Sequence, residues 1–172
     1  GWEIPADGST QTARWFAVRL TLESAPWAFF KDKPFKVIAA LELFASLLCL
    51  MLFCEDAKGD DDDAERATLA MTGITDNRGN HFVLSKCMTS KYPLAPVLME
   101  LATQLRRKRV RLNLKSVPRD ENTEADALSN MNSSGFSDIN RVHVNIAELN
   151  FVVLREMICL LYTSPSPRDR YI

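Results

Sequence analysis

One stretch limits the possible folds more than any other. Residues 37–54 read VIAALELFASLLCLMLFC, and a single carboxylate, Glu42, interrupts them. The run is barely long enough to cross a bilayer, and an ionisable group within a membrane span is costly. With a soluble pattern elsewhere in the chain, the run reads as a buried helix. It extends from about Pro34, a residue suited to a first helical turn, to about Phe53, with Asp32 placed to cap it. The helix is apolar on most sides, so most of its surface must be covered. Burying an unpaired carboxylate costs several kcal/mol or more, roughly. Glu42 therefore needs an exposed stripe, a partner such as Lys33 or Lys36, or a metal ion.

The remaining elements follow from pattern. Trp15 to Leu22 (WFAVRLTL) is rich in β-formers and predicts a strand. ATLAMTGIT, residues 67–75, is short and bounded by turn signals, and it predicts a central strand. NHFVLSKCMTSKYP predicts a short helix or turn. From Pro93 to Arg109, Leu94, Val97, Leu98, Leu101 and Leu105 recur at helical spacing. VRLNLKSV alternates as a half-buried strand does. PRDEN turns the chain, TEADALSNM starts a short helix, RVHVNI alternates again, and AELNFVVLREMI reads as an amphipathic helix. Strands joined by helices predict an α/β fold, with a mixed sheet that contains parallel pairs and is flanked by helices.

Composition narrows the function classes. A net charge of −1 gives no global attraction to nucleic acid, so any such binding must come from a local patch. Cys49, Cys54, Cys87 and Cys159 form no CxxC pair and there are two histidines. This argues against a zinc site or a disulfide framework and fits a reducing, intracellular setting, cytoplasm or nucleus. Asp60 to Asp63 lack the spacing of a calcium loop and read as a solvated linker.

Several polar residues have both a structural and a chemical reading. Asp76 closes the predicted central strand, where α/β sheets place their sites, but an Asp-Asn pair also opens turns. Asp126 falls three residues after Thr123, the spacing of a capping box. Arg106, Arg107, Lys108 and Arg109 end the long helix, where cations complement the helix dipole; the same run suits phosphate contacts without sequence preference.

Taken together, ALELFASLLCLMLF, GITDNRGN and VPRDENTEADALSN resemble the ribonuclease H domain of retroelement reverse transcriptases, closest to the diverged tyrosine-recombinase-type and related forms. There the first helix carries LEL(F/L)A, the fourth strand ends in TDN and the last helix reads N..ADALS. The resemblance covers about residues 1–130, and residues 131–158 form a strand-helix extension. It implies a ribonuclease H-like sheet whose first strand is missing or incomplete. It also implies metal-dependent cleavage of the RNA strand of an RNA–DNA hybrid, in company with an upstream reverse transcriptase domain of the same polyprotein. Glu42, Asp76 and Asp126 would be the catalytic carboxylates and ligands of two magnesium ions, or manganese. Two such ions about 4 Å apart stabilise both the attacking and the leaving oxygen, and hard carboxylate oxygens suit them.

Two departures qualify this. Gly1-Trp2 resembles the GW that follows the family's first-strand aspartate, so that fourth carboxylate would lie before Gly1. PRDEN also lacks the histidine that many relatives carry before the last helix. The fragment is therefore expected to lack a complete site and to show little cleavage.

Cys159 to Asp169, CLLYTSPSPRD, agrees codon by codon with a sequencing-library transposase adapter, so residues 159–172 are set aside as a non-native tail. Two other readings stand beside the nuclease: a non-catalytic ribonuclease H-like module that binds nucleic acid or packs on a polymerase, and an unrelated α/β interaction protein. A fragment extended upstream through the first strand is expected to bind magnesium or manganese; titration showing no binding would count against the nuclease reading.

Overall fold

The computed structural model describes residues 1–29, 37–56 and 68–155. Asp32, Lys33, Pro34 and Lys36, the aspartates Asp60 to Asp63, and everything from residue 156 onward lie outside the described residues. In chain order come α1 (Ile38–Phe53), β1 (Leu69–Thr75), α2 (Arg78–Lys86), α3 (Leu94–Lys108), β2 (Val110–Ser116) and α4 (Thr123–Ser129). Single 3-10 turns lie at Pro26–Phe29, Arg119–Glu121, Asp138–Asn140 and Ile146–Glu148. The architecture is mixed α/β.

β1 and β2 pair in parallel, from Leu69 opposite Val110 to Thr75 opposite Ser116. A parallel partner requires a crossover of a dozen or more residues, and α2 and α3 form it. Gly73 allows close packing here, since a Cβ would meet Leu114 Cδ1 at 3.0 Å and Leu112 Cδ1 at 3.3 Å. His81 of α2 holds the far side of β2: its Nδ1 lies 2.6 Å from the Leu114 carbonyl oxygen. A carbonyl only accepts, so Nδ1 carries the proton in this contact.

The long apolar run forms α1, which packs on α3. Leu43, Leu47 and Leu48 are buried in one core with Val97, Leu98 and Leu101. No helix among the described residues is long and apolar enough to cross a membrane. Residues after 130 join these cores: Ile146, Phe151 and Leu154 enter the main one. Phe136 packs with Ala13, Trp15 and Leu128 in a second.

Two expected strands are absent. Trp15 makes isolated bridges to Trp2 and to Arg141, and the ladder goes no further. In both segments the alternation still sorts the side chains. Val18 and Leu20 lie against the core, as do Val142 and Val144, while Arg19, Thr21, Arg141 and His143 are exposed. Alternation reports which side is buried; a strand also needs a neighbouring backbone to bond.

The final segment is anchored by a residue with no sequence signal. Glu100 of α3 has 0% exposure. Its carboxylate accepts hydrogen bonds from the backbone N–H groups of Val152, Val153 and Leu154 at 2.6–3.2 Å, and Gln104 Nε2 donates to it at 2.7 Å. It thus satisfies the free amides of the helical turn that begins at Val153. Glu100→Ala should cost about 3 kcal/mol in urea unfolding, because buried donors lose a charged acceptor. Glu100→Gln, which keeps one acceptor oxygen, should cost less. A loss below about 0.5 kcal/mol for the alanine variant, the range of an ordinary surface change, would contradict this role.

Candidate active site

The site begins where β1 ends. Thr75 is the last residue of the strand, and its carbonyl accepts from Val117 N at 2.9 Å just past β2. Asp76 and Asn77 follow and divide the work that sequence left open. Asn77 opens the turn: it is the N-cap of α2, and its side chain accepts from Asn80 N at 3.2 Å. Asp76 is thereby released from capping and accepts no hydrogen bond among the described residues.

Asn80 draws α1 to this corner. It is buried, and its Nδ2 donates to the Ala39 carbonyl at 3.0 Å. Ala39 lies in the first turn of α1, close in sequence to Glu42. The Glu42 side chain is half-buried, and its Oε2 is enclosed without a hydrogen-bond partner. Burial pushes its carboxyl above the usual glutamate range. A side-chain hydrogen bond with Asn77 opposes this, the charge of Asp76 adds to it, and the charge of Arg119 opposes it.

Asp126 reaches the same corner from α4. It makes no capping box: the N-cap of α4 is Asn122, with no side-chain cap, and the Thr123 hydroxyl bonds Glu124 instead. Arg119, on the turn between β2 and α4, takes the carboxylate. Its Nε and Nη2 donate to Asp126 Oδ1 at 3.1 and 2.5 Å. Asn130 Nδ2 approaches the other oxygen at 3.4 Å. This pairing holds Arg119 firmly in its charged form, and the charges of Asp76 and Glu42 act in the same direction. All three carboxylates are therefore within electrostatic reach of one guanidinium. Arg119 and Asn80 carry no sequence signal as site residues, although Asn80 sits within the GITDNRGN motif, and Asn77 is expected there only as half of a turn-forming pair.

The donor chemistry suits a hard divalent ion: carboxylate oxygens, one of them enclosed and unpartnered. The spacing does not. Among the described residues, no three His, Cys, Asp or Glu side chains stand close enough together to hold a metal ion. No catalytic step is therefore drawn through one.

At the far end of α3 the four cations separate. Arg106 and Arg107 are exposed and Arg109 is partly so. Arg109 takes the left-handed conformation (φ 54°) that ends the helix. Arg107 Nη1 also approaches the Asn150 carbonyl at 3.4 Å. Lys108 corrects the expectation. Only 9% exposed, its ammonium turns inward to the Cys54 carbonyl at 2.6 Å and to Asp56 at 2.7 Å. It follows the helix's buried side and is not open to a phosphate contact.

The Glu42 environment has a pH consequence. A folded chain that binds this proton more tightly than the unfolded one loses stability as pH rises from the ordinary 4.5 through the raised value. Glu42→Gln should therefore be more stable than the parent near neutral pH, by up to about 1 kcal/mol after allowing for solvent screening of a half-exposed group. The two should coincide below about pH 4. Urea unfolding at both pH values tests this, and a variant less stable at neutrality would contradict it. No family model matches the chain, and neither the curated proteins nor the solved structures include a match.

Proposed function

We propose that this chain is part of a ribonuclease H-like domain of a retroelement reverse transcriptase, which in the intact protein cleaves the RNA strand of RNA–DNA hybrids. The observation that carries the reading is that Arg119 bonds Asp126 directly and also lies within electrostatic reach of Glu42 and Asp76, beside the C-terminal ends of a parallel strand pair. These carboxylates come from three elements remote in sequence. Acidic groups beside strand ends are in keeping with phosphodiester chemistry on an α/β sheet, where charge must be managed as the crevice opens. Magnesium is the ion such hard oxygens would select.

The chain's own residues account for binding. Arg106, Arg107 and Arg109 offer guanidinium groups to hybrid phosphates. Such contacts position the duplex without reading bases, and hybrid preference then rests on shape and 2′-hydroxyls. A second reading is favoured by the hold of Arg119 on Asp126: a non-catalytic ribonuclease H-like module that binds nucleic acid or packs on the polymerase.

Fluorescence anisotropy with a labelled RNA–DNA hybrid, duplex DNA and duplex RNA tests the proposal. The chain should bind the hybrid with an affinity that falls with salt and should cut it little. Replacing Arg106, Arg107 and Arg109 with alanine should weaken binding and lower the logarithmic salt slope by about 0.9 for each phosphate no longer neutralised. Absence of hybrid binding at low salt, or a triple variant with the parent's slope, would contradict it.

A further inference from the structure

The cationic end of α3 divides by partner. Arg107 and Lys108 both face Asp56, at 4.0 and 2.7 Å. Arg106 and Arg109 make no side-chain hydrogen bond or ion pair among the described residues. They line an open groove of about 450 Å³ together with Thr68, Leu105 and Val110. We propose that this groove and the outward face of β2 form one track for the phosphates of a polynucleotide strand, with Arg106 and Arg109 at its start and Arg111 and Lys115 along it. The choice of a polynucleotide as partner rests on the reading above; the track gives it a path.

The strand pair builds this path. Thr68 and Arg109 immediately precede the paired residues Leu69 and Val110, so the groove opens at the N-terminal ends of both strands. From there Arg111, Asn113 and Lys115 are exposed, alternating with Leu112 and Leu114, which lie against the core. Their register partners on β1 are Ala70, Thr72 and Ile74, also exposed and all uncharged. Neither strand contains an acidic residue, and Arg111 and Lys115 have no side-chain partner among the described residues. Cations left open and unneutralised on a chain of net charge −1 are a local attraction for anions. Asn113 and Thr72 add neutral donors of the kind that bond phosphate oxygens.

The spacing fits a nucleic acid strand. Alternate residues of a β-strand stand about 6.6 Å apart, close to two base steps of roughly 3.4 Å each. Arg109 to Lys115 spans about 20 Å, or roughly six such steps. The direction also fits. The track ends opposite the exit of β1, where Asp76 follows Thr75.

Fluorescence anisotropy over a salt series tests the track, with a labelled single DNA strand and a labelled RNA–DNA hybrid, each about 12 nucleotides long to exceed it. Circular dichroism checks that each variant folds. Arg111→Ala combined with Lys115→Ala should lower the logarithmic salt slope by up to about 1.8 on the hybrid and about 1.4 on the single strand. Arg106→Ala combined with Arg109→Ala should do the same. Lys86→Ala combined with Lys91→Ala removes two exposed lysines outside the track and should leave the slope near the parent's. An unchanged slope in the Arg111 and Lys115 variant, or an equal fall in the Lys86 and Lys91 variant, would overturn the track. Hybrid bound without dependence on Arg111 and Lys115 ends the track alone. A single strand bound through these residues, with no hybrid binding, upholds the track and ends the nuclease reading. Binding of neither ends both.

Discussion

Parallel strands end at the same edge of a sheet, and the described corner follows from that constraint. Because Thr75 lies opposite Ser116, the residues leaving β1 and those leaving β2 emerge side by side. Asp76 comes from the first exit, and Arg119 comes three residues after Ser116 on the second. An antiparallel pair would have placed them at opposite ends. The other two carboxylates are brought in by short local contacts. Asn80 reaches from α2 to Ala39 and draws the start of α1, with Glu42, to the corner. The turn that carries Arg119 also leads into α4, so Asp126 lies seven residues from the guanidinium it meets.

Charge then explains the internal order of the cluster. Acidic groups near one another repel, and each becomes harder to ionise unless a cation stands by. Glu42 shows the cost most clearly, being half-buried and pushed upward by burial with a further contribution from Asp76. Arg119 relieves part of it without touching Glu42 Oε2. Among the described residues, Glu100 makes an informative contrast. Glu100 is more deeply buried than Glu42, yet its oxygens receive three backbone amides and a glutamine amide. One acid is saturated and structural; the other is left with spare capacity beside like charges. That difference, and not burial alone, separates a structural acid from the one on which the proposed function draws.

Much of the fold was legible because it depends on period and punctuation. α1, α3, β1 and β2 follow from an apolar run, a helical leucine spacing and clean alternation. Segments 15–22 and 141–146 show the limit of that reasoning. Their alternation records correctly which side chains face the core, but pairing depends on what lies alongside, and that is not written locally. At the site, motif order singled out Glu42, Asp76 and Asp126, yet the residues that organise them were not visible. Arg119 lies in a turn expected only to reverse the chain. Asn77 looked like half of a generic turn pair and is a cap. Lys108 looked equivalent to its arginine neighbours, and only the helix's rotation in the fold turns it inward. Glu100 interrupts a leucine pattern as any surface acid does, and its role depends on a segment some fifty residues later.

The chemistry proposed for this corner requires three acids and one arginine to share a single electrostatic neighbourhood. Carbon-13 NMR titration of the Glu42 carboxyl measures that directly, in the parent and in the Asp76→Asn and Arg119→Gln variants. The parent should titrate above the ordinary glutamate range, with a fall when Asp76 is neutralised and a rise when Arg119 is. A Glu42 titration at its ordinary position, unmoved by either substitution, would contradict the shared neighbourhood.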